Sequence, residues 1–158
     1  MLFLTVGYQM AFDRLTRSID DWARHNQGVE IFAQIGPSEY EPAHLNWTQF
    51  LEPPEFTDKL KHCSGIIAHA GMGSILTALQ YGKPIVIMPR HGSLRETRND
   101  HQIATAKRFE CYEQIIVAMS DNDLPSCLQR LQTMNSASGS DPVASSQLIQ
   151  CLRSFIDT

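Results

Sequence analysis

The sequence predicts an α/β domain, a mostly parallel sheet with helices on both faces, and three observations predict it. Short apolar runs alternate along the chain with longer amphipathic stretches of helical period. The short runs are almost continuously apolar, as strands covered on both faces are. Glycine-containing turns lead from strands toward helices, His69-Ala70-Gly71-Met72-Gly73-Ser74 foremost among them. Together they describe a Rossmann-like fold.

The elements follow in order. Phe3 to Val6 reads as a buried strand ending at Gly7. Phe12, Leu15, Ile19, Trp22 and Ala23 then share one face at helical spacing. Val29 to Ile35 is a second strand, closed by Gly36-Pro37, and Trp47 to Leu51 a third, stopped by Pro53-Pro54. A short helical piece spans Phe56 to His62. Gly65 to His69 is the fourth strand, and Ser74 to Tyr81 is a helix ending at Gly82, a residue suited to a helix stop. Pro84 to Met88 is the fifth strand, and Pro89 to Arg98 a polar loop. A helix from about Asn99 to Phe109 and a strand from Gln114 to Ala118 come next. Leu124, Cys127, Leu128 and Leu131 mark another amphipathic helix. After a Ser-, Gly- and Pro-containing break from Ser136 to Pro142, a last helix is expected over about 143–156. Its stripe of Leu148, Ile149, Leu152 and Ile156 packs on the sheet or, with Phe155, offers a docking surface. No internal repeat is present, and the 158 residues read as a single domain, 1–158.

Composition narrows the function. A hydrophobic fraction of 42% with 19% charged residues is that of an ordinary globular chain. A formal net charge of −4 argues against broad nucleic-acid binding, although Arg90, Arg95 and Arg98 fall close together. Apolar runs such as Ile85 to Met88 are too short to cross a bilayer, and Leu2-Phe3-Leu4 lacks the basic lead-in of a signal peptide. Cys63, Cys111, Cys127 and Cys151 show neither zinc nor disulfide spacing, so they are expected as small buried residues in a reducing cytoplasm.

Ligands of open parallel sheets bind outside the carboxyl ends of the strands, and three segments leave a strand there. In His69 to Ser74 the glycines permit close backbone approach, and amides at a helix start favour a phosphate or diphosphate. His69 and Ser74 can add side-chain donors. The other reading is a tight turn with Ser74 as a helix cap and His69 satisfied structurally. The turn is neither a Walker loop, since no Gly-Lys-Ser/Thr follows, nor a dinucleotide fingerprint, since Leu76 occupies the third-glycine position. The second segment, Asn99-Asp100-His101-Gln102, opens a helix; Asn99 or Asp100 reads as its cap, and His101 and Gln102 as ligand contacts. The third is Gly7-Tyr8-Gln9, a supporting loop at the same crevice or a simple turn.

These motifs, with Gly82-Lys83-Pro84 and the opening Phe3-Leu4-Thr5-Val6-Gly7-Tyr8-Gln9 and Phe12-Asp13-Arg14-Leu15, resemble the carboxyl-terminal domain of GT-B glycosyltransferases of family 28. That group includes the bacterial peptidoglycan N-acetylglucosaminyltransferase. The opening segment is most similar to the small catalytic subunit of two-subunit transferases of the dolichol pathway and of bacterial exopolysaccharide synthesis. The resemblance runs from Met1 to about Phe109 and is expected to continue to the end. It implies that His69, Gly71, Met72, Gly73 and Ser74 form a diphosphate-binding turn and that His101 and Gln102 contact the donor sugar. It further implies that Leu51 and Phe56 lie in the loop facing the uracil.

Two positions depart from the family pattern. Thr77 stands where many members carry a Glu that accepts hydrogen bonds from the ribose, with Gln80 one turn later as a substitute. Tyr8 stands where related small subunits often have Thr.

The resemblance implies transfer of a sugar from a UDP-sugar to a lipid-linked acceptor, with inversion, with UDP-sugar as donor substrate and with neither cofactor nor metal. The acceptor half would come from a membrane-associated partner subunit, which recruits this cytoplasmic chain to the inner face of the membrane. No general base is nominated. A non-catalytic nucleotide-sugar sensor or scaffold is the alternative. A UDP-sugar 2-epimerase fragment is disfavoured because such enzymes carry both domains in one chain.

Overall fold

The computed structural model describes residues 1–134. The helix expected over about 143–156, the docking surface it would offer with Phe155, and Cys151 lie outside the described residues.

Six parallel strands form one sheet: β1 (Leu2–Thr5), β2 (Ile31–Gln34), β3 (Asn46–Thr48), β4 (Gly65–His69), β5 (Ile85–Met88) and β6 (Ile115–Val117), in the order β3-β2-β1-β4-β5-β6. Among the described residues, four α-helices lie between the strands, α1 (Asp13–His25), α2 (Pro53–His62), α3 (Met72–Gln80) and α4 (His101–Phe109), and α5 (Leu124–Thr133) follows β6. Strand order runs outward from β1 in one direction and from β4 in the other. The loops leaving β1 and β4 therefore part to opposite faces, and a crevice opens at their carboxyl ends.

Alternation along each strand sorts the side chains into two cores. Leu4, Val6, Ala33, Ile67, Val86 and Met88 pack against α1 and α5, which contribute Leu15, Ile19, Leu128 and Leu131. Phe3, Ile66, Ala68, Ile85 and Ile87 pack beneath α2, α3 and α4, which contribute Leu60, Ile75, Ala78, Ala106 and Phe109. Leu15, Ile19, Ile75 and Phe109 are fully buried, each contributing roughly 1.5–3 kcal/mol of transfer free energy. The predicted α/β class, the parallel sheet and the apolar faces of the helices are as the sequence reads.

Boundaries differ where local chemistry overrides pattern. β3 ends at Thr48 rather than Leu51, because its neighbour β2 turns away at Gly36 (φ +62) and the last ladder bond is Gly36 N–H to Gln49 O at 2.9 Å. Pro53 and Pro54 open α2 instead of merely stopping a strand. Proline suits the first helical positions, and Glu52 and Glu55 close a reciprocal cap around them. α3 starts at Met72, two residues before the expected Ser74, and Gly71 in extended conformation is its N-cap, so Ser74 is not the cap. Its far end closes as expected at Gly82 (φ +62), where Gly82 N–H bonds Leu79 O and Lys83 N–H bonds Ala78 O. Asp100 sits at the N-cap of α4 but spends its carboxylate on Gly92 N–H at 2.8 Å, while Asn99 Oδ1 accepts from His101 N–H at 3.3 Å. Cys63 and Cys127 are buried as expected. Cys111 is exposed, because it follows the last turn of α4 on the solvent side.

Among the described residues no helix is long and apolar enough to cross a membrane.

Candidate functional site

The site grows from the ends of β1 and β4. After Val6 the chain turns at Gly7, whose φ of +81 favours glycine and whose missing Cβ would lie 3.1 Å from His69 Nε2. The loop that follows is held by Arg90, which is almost wholly buried. Its guanidinium donates to the carbonyls of Val6 (2.8 Å), Met10 (2.8 Å), Ala11 (2.5 Å) and Glu96 (3.2 Å) and lies over the ring of Phe12. Four carbonyl acceptors compensate the buried cation, which burial lowers to a pKa of about 10. Arg90 is therefore a fixed internal clamp, and the cluster it forms in sequence with Arg95 and Arg98 does not assemble as a surface patch.

Helix α3 begins where β4 ends. Its first internal bond is Ile75 N–H to Gly71 O at 3.2 Å, which leaves the amides of Met72, Gly73 and Ser74 without an acceptor among the described residues. A Cβ at Gly71 would overlap the imidazole of His69, whereas a Cβ at Gly73 would meet nothing within 4 Å. Gly71 thus serves the packing of the turn, and Gly73 keeps open space beside the free amides.

His69 stands between these two ends. Its Nε2 is 3.4 Å from Ser74 Oγ, and its Nδ1 accepts from Gln102 Nε2 at 3.3 Å. Gln102 Oε1 in turn accepts the backbone N–H of Arg90 at 3.1 Å. Burial, then the nearby Arg90 charge, lower the His69 pKa to about 4 against the raising effect of the Gln102 bond, so the imidazole is neutral at pH 7.

Two chambers meet at His69, Gly7 and Tyr8, which line both. The larger, about 470 Å³, is a cleft between α2 and α3, walled by Pro53, Phe56, Leu60 and Thr77. Thr5, Gln34 and Ile66 underlie it. Thr5 Oγ donates to Gln34 Oε1 at 2.9 Å, and Gln34 Nε2 is buried without a partner among the described residues. The smaller chamber, about 350 Å³, is more polar and is lined by Gln9, Met10, Arg90, Thr97 and Gln102. At the rim Tyr8 stacks on Phe50, 5.6 Å between ring centroids, and its hydroxyl donates to Leu51 O.

Most of the residues singled out in the sequence converge here. Gly73, Ser74, Thr77 and Phe56 line the large cleft, Gln9 and Gln102 the small one, and Gly7, Tyr8 and His69 both. Met72 contributes its amide, while its side chain packs against the core beneath α3. Three do not converge. The buried side chain of Leu51 faces a separate depression with Phe32, Pro54 and Lys59, and only its carbonyl reaches Tyr8. His101, the first residue of α4, is exposed and lines neither chamber. Gln80 is exposed and also outside the cleft. Pattern reading missed Thr5 and Gln34. Their signal is a polar residue closing each of two otherwise apolar strands.

A two-chambered crevice at the switch point of a six-stranded parallel sheet, with the free amides of a helix start at its larger chamber, defines a GT-B glycosyltransferase carboxyl-terminal type of domain. The chain belongs to the glycosyltransferase family 28 C-terminal domain, whose family model matches residues 1–145.

Solved structures agree on the fold. The crystal structure of the glycotransferase of kitacinnamycin is 17% identical with a TM-score of 0.62, over 99% of this chain and 39% of that one. CalG4, the calicheamicin glycosyltransferase, is 15% identical with a TM-score of 0.59, over 99% and 44%. Glycosyltransferase VinC, in complex with dTDP, is 19% identical with a TM-score of 0.55, over 94% and 36%. The chain thus spans less than half the length of these transferases. No curated protein matches it in sequence.

Proposed function

We propose that this domain binds the UDP-sugar of a two-subunit glycosyltransferase, and that a membrane-associated partner brings a lipid-linked sugar acceptor to it. The observation that carries the reading is the convergence of the free α3-start amides, Gly73 and Ser74 lining the larger chamber, with the Ser74 hydroxyl and with neutral His69, which forms the ridge between two chambers. A diphosphate on that ridge would meet donors only, at the positive end of a helix dipole. The apolar cleft with Phe56 and Thr77 suits the nucleoside, and the polar chamber with Gln9, Thr97 and Gln102 suits the sugar.

As the glycosidic bond breaks, negative charge grows on the departing diphosphate. Preorganised amides stabilise that charge without reorganising at the moment of reaction. The described crevice offers donors for the departing diphosphate, and the acceptor site and general base belong to another unit. In this reading that unit is the partner subunit, which recruits the domain to the cytoplasmic face of the membrane for polysaccharide or glycolipid synthesis. The donor needs no metal or cofactor, so activity is expected to survive chelator.

Calorimetric titration with UDP, GDP, ADP and dTDP tests the donor site. UDP is expected to bind selectively and to be lost in Gly73→Asp; equal binding of all four would refute the assignment. Reconstitution with the partner tests the split. Turnover of a lipid-linked acceptor by this chain alone, at the rate of the pair, would overturn it. Nucleotide binding with no turnover on reconstitution would favour a sensor or scaffold.

A further inference from the structure

We propose that Gln102 is a positioning residue: it holds His69 in the tautomer that carries its proton on Nε2, so that the imidazole donates to Ser74 and leaves the Ser74 hydroxyl hydrogen for a ligand oxygen. The relay rests on hydrogen-bond direction. The backbone N–H of Arg90 can only donate, so the atom of Gln102 facing it at 3.1 Å is the oxygen. That fixes the amide plane and turns Nε2, a donor only, toward His69 Nδ1 at 3.3 Å. Nδ1 must then present its lone pair. A neutral imidazole with an unprotonated Nδ1 carries its proton on Nε2.

Nε2 faces Ser74 Oγ at 3.4 Å, and an imidazole N–H there can only be accepted. The serine hydroxyl hydrogen is left to point onward, beside the free amides of the α3 start. Every link from the Arg90 amide to Ser74 therefore donates in the same direction, toward the ridge between the chambers. The two long links are of a length that tightens when a ligand completes the network. Ring placement is fixed as well, since both imidazole nitrogens have partners and a flipped ring would offer carbons to both.

The same contacts limit what else Gln102 can do. Its oxygen and one amide hydrogen are spent within the protein, so a sugar hydroxyl could take only the second Nε2 hydrogen. Only the last link, from Ser74 to a ligand, rests on the proposed donor site; the tautomer does not.

Nitrogen NMR of the chain labelled with ¹⁵N in histidine, recorded without nucleotide at pH 7, reads the tautomer directly. The His69 ring signals are those lost in His69→Asn. Wild type is expected to show a protonated Nε2 and an unprotonated Nδ1. In Gln102→Glu one carboxylate oxygen still accepts the Arg90 amide, while the other demands a proton on Nδ1. The pattern is expected to invert, or both nitrogens to become protonated. Gln102→Met is expected to give a mixture of tautomers. A proton on Nδ1 in wild type, or an unchanged Nε2–H pattern in both variants, would overturn the proposal. A chain that bound no UDP would sink the donor-site reading and leave this result standing.

Discussion

Gly73 offers a perturbation in which stability and binding should move in opposite directions. It is exposed at the second position of α3, its backbone is helical, and a Cβ there meets nothing within 4 Å. Gly73→Ala therefore costs no steric strain, and it removes the excess backbone freedom of glycine in the unfolded chain. The gain expected from that term is about 0.4–1 kcal/mol, or a few degrees in Tm for a chain of this size. The same methyl stands beside the free amides of Met72, Gly73 and Ser74 and would hold a diphosphate away from them. Loss of one or two charge-assisted hydrogen bonds, each roughly 1.5–3 kcal/mol, corresponds to a tenfold or greater fall in UDP affinity.

Gly71→Ala is the control. Its Cβ would overlap His69, so it should lower Tm as well as binding. Thermal unfolding paired with calorimetric titration of UDP decides the matter. If Gly73→Ala bound UDP as wild type does, or unfolded at a clearly lower temperature, open space at Gly73 would have no connection with a ligand.

Three further outcomes are expected. His69 is held neutral down to a pKa of about 4 against an ordinary 6.5, so the unfolded chain takes up a proton between those values that the folded chain refuses. Its contribution is complete above pH 6.5 and is lost as pH falls toward 4, by about 3 kcal/mol; urea midpoints at pH 7.5 and 4.5 should converge in His69→Gln relative to wild type. Arg90→Met strips the donor from the carbonyls of Val6, Met10, Ala11 and Glu96. A loss of about 3 kcal/mol or more is expected in denaturant unfolding, and Arg90→Lys, whose ammonium cannot span four acceptors, should recover only part of it. Thr77→Glu places a carboxylate in the large cleft. If the ribose lies there, UDP should bind about tenfold tighter and 2′-deoxyUDP should gain less, from the expected worth of a hydrogen bond to a charged group; equal gains would place the ribose elsewhere.

The sequence determined what depends on near neighbours. Apolar runs from Phe3 to Val6 and from Ile85 to Met88 could only be buried strands, and the helical spacing of Leu15 and Ile19 made one face of α1 apolar. The turn from His69 to Ser74 was legible because its glycines and its helix are contiguous, and Phe56 and Thr77 followed from family resemblance. Even so, the start of α3 at Met72 escaped pattern, since Gly71 and Gly73 have similar local propensities and only packing against His69 distinguishes them.

Tertiary structure decided what depends on residues far apart in the chain. Arg90 reads as a surface cation until it is seen to hold carbonyls some 80 positions away. That Gln102 also ties the Arg90 amide to His69, with its oxygen and one amide hydrogen, shows only in the fold. Thr5 and Gln34 carry no signal of a site in the sequence beyond their polarity, and parallel register sets them side by side beneath the cleft. Local sequence fixes periodicity and turn chemistry, whereas hydrogen-bond partners across a parallel sheet are chosen by strand order. That order is set by how the two apolar faces are shared among the helices, and no short stretch of the chain carries it.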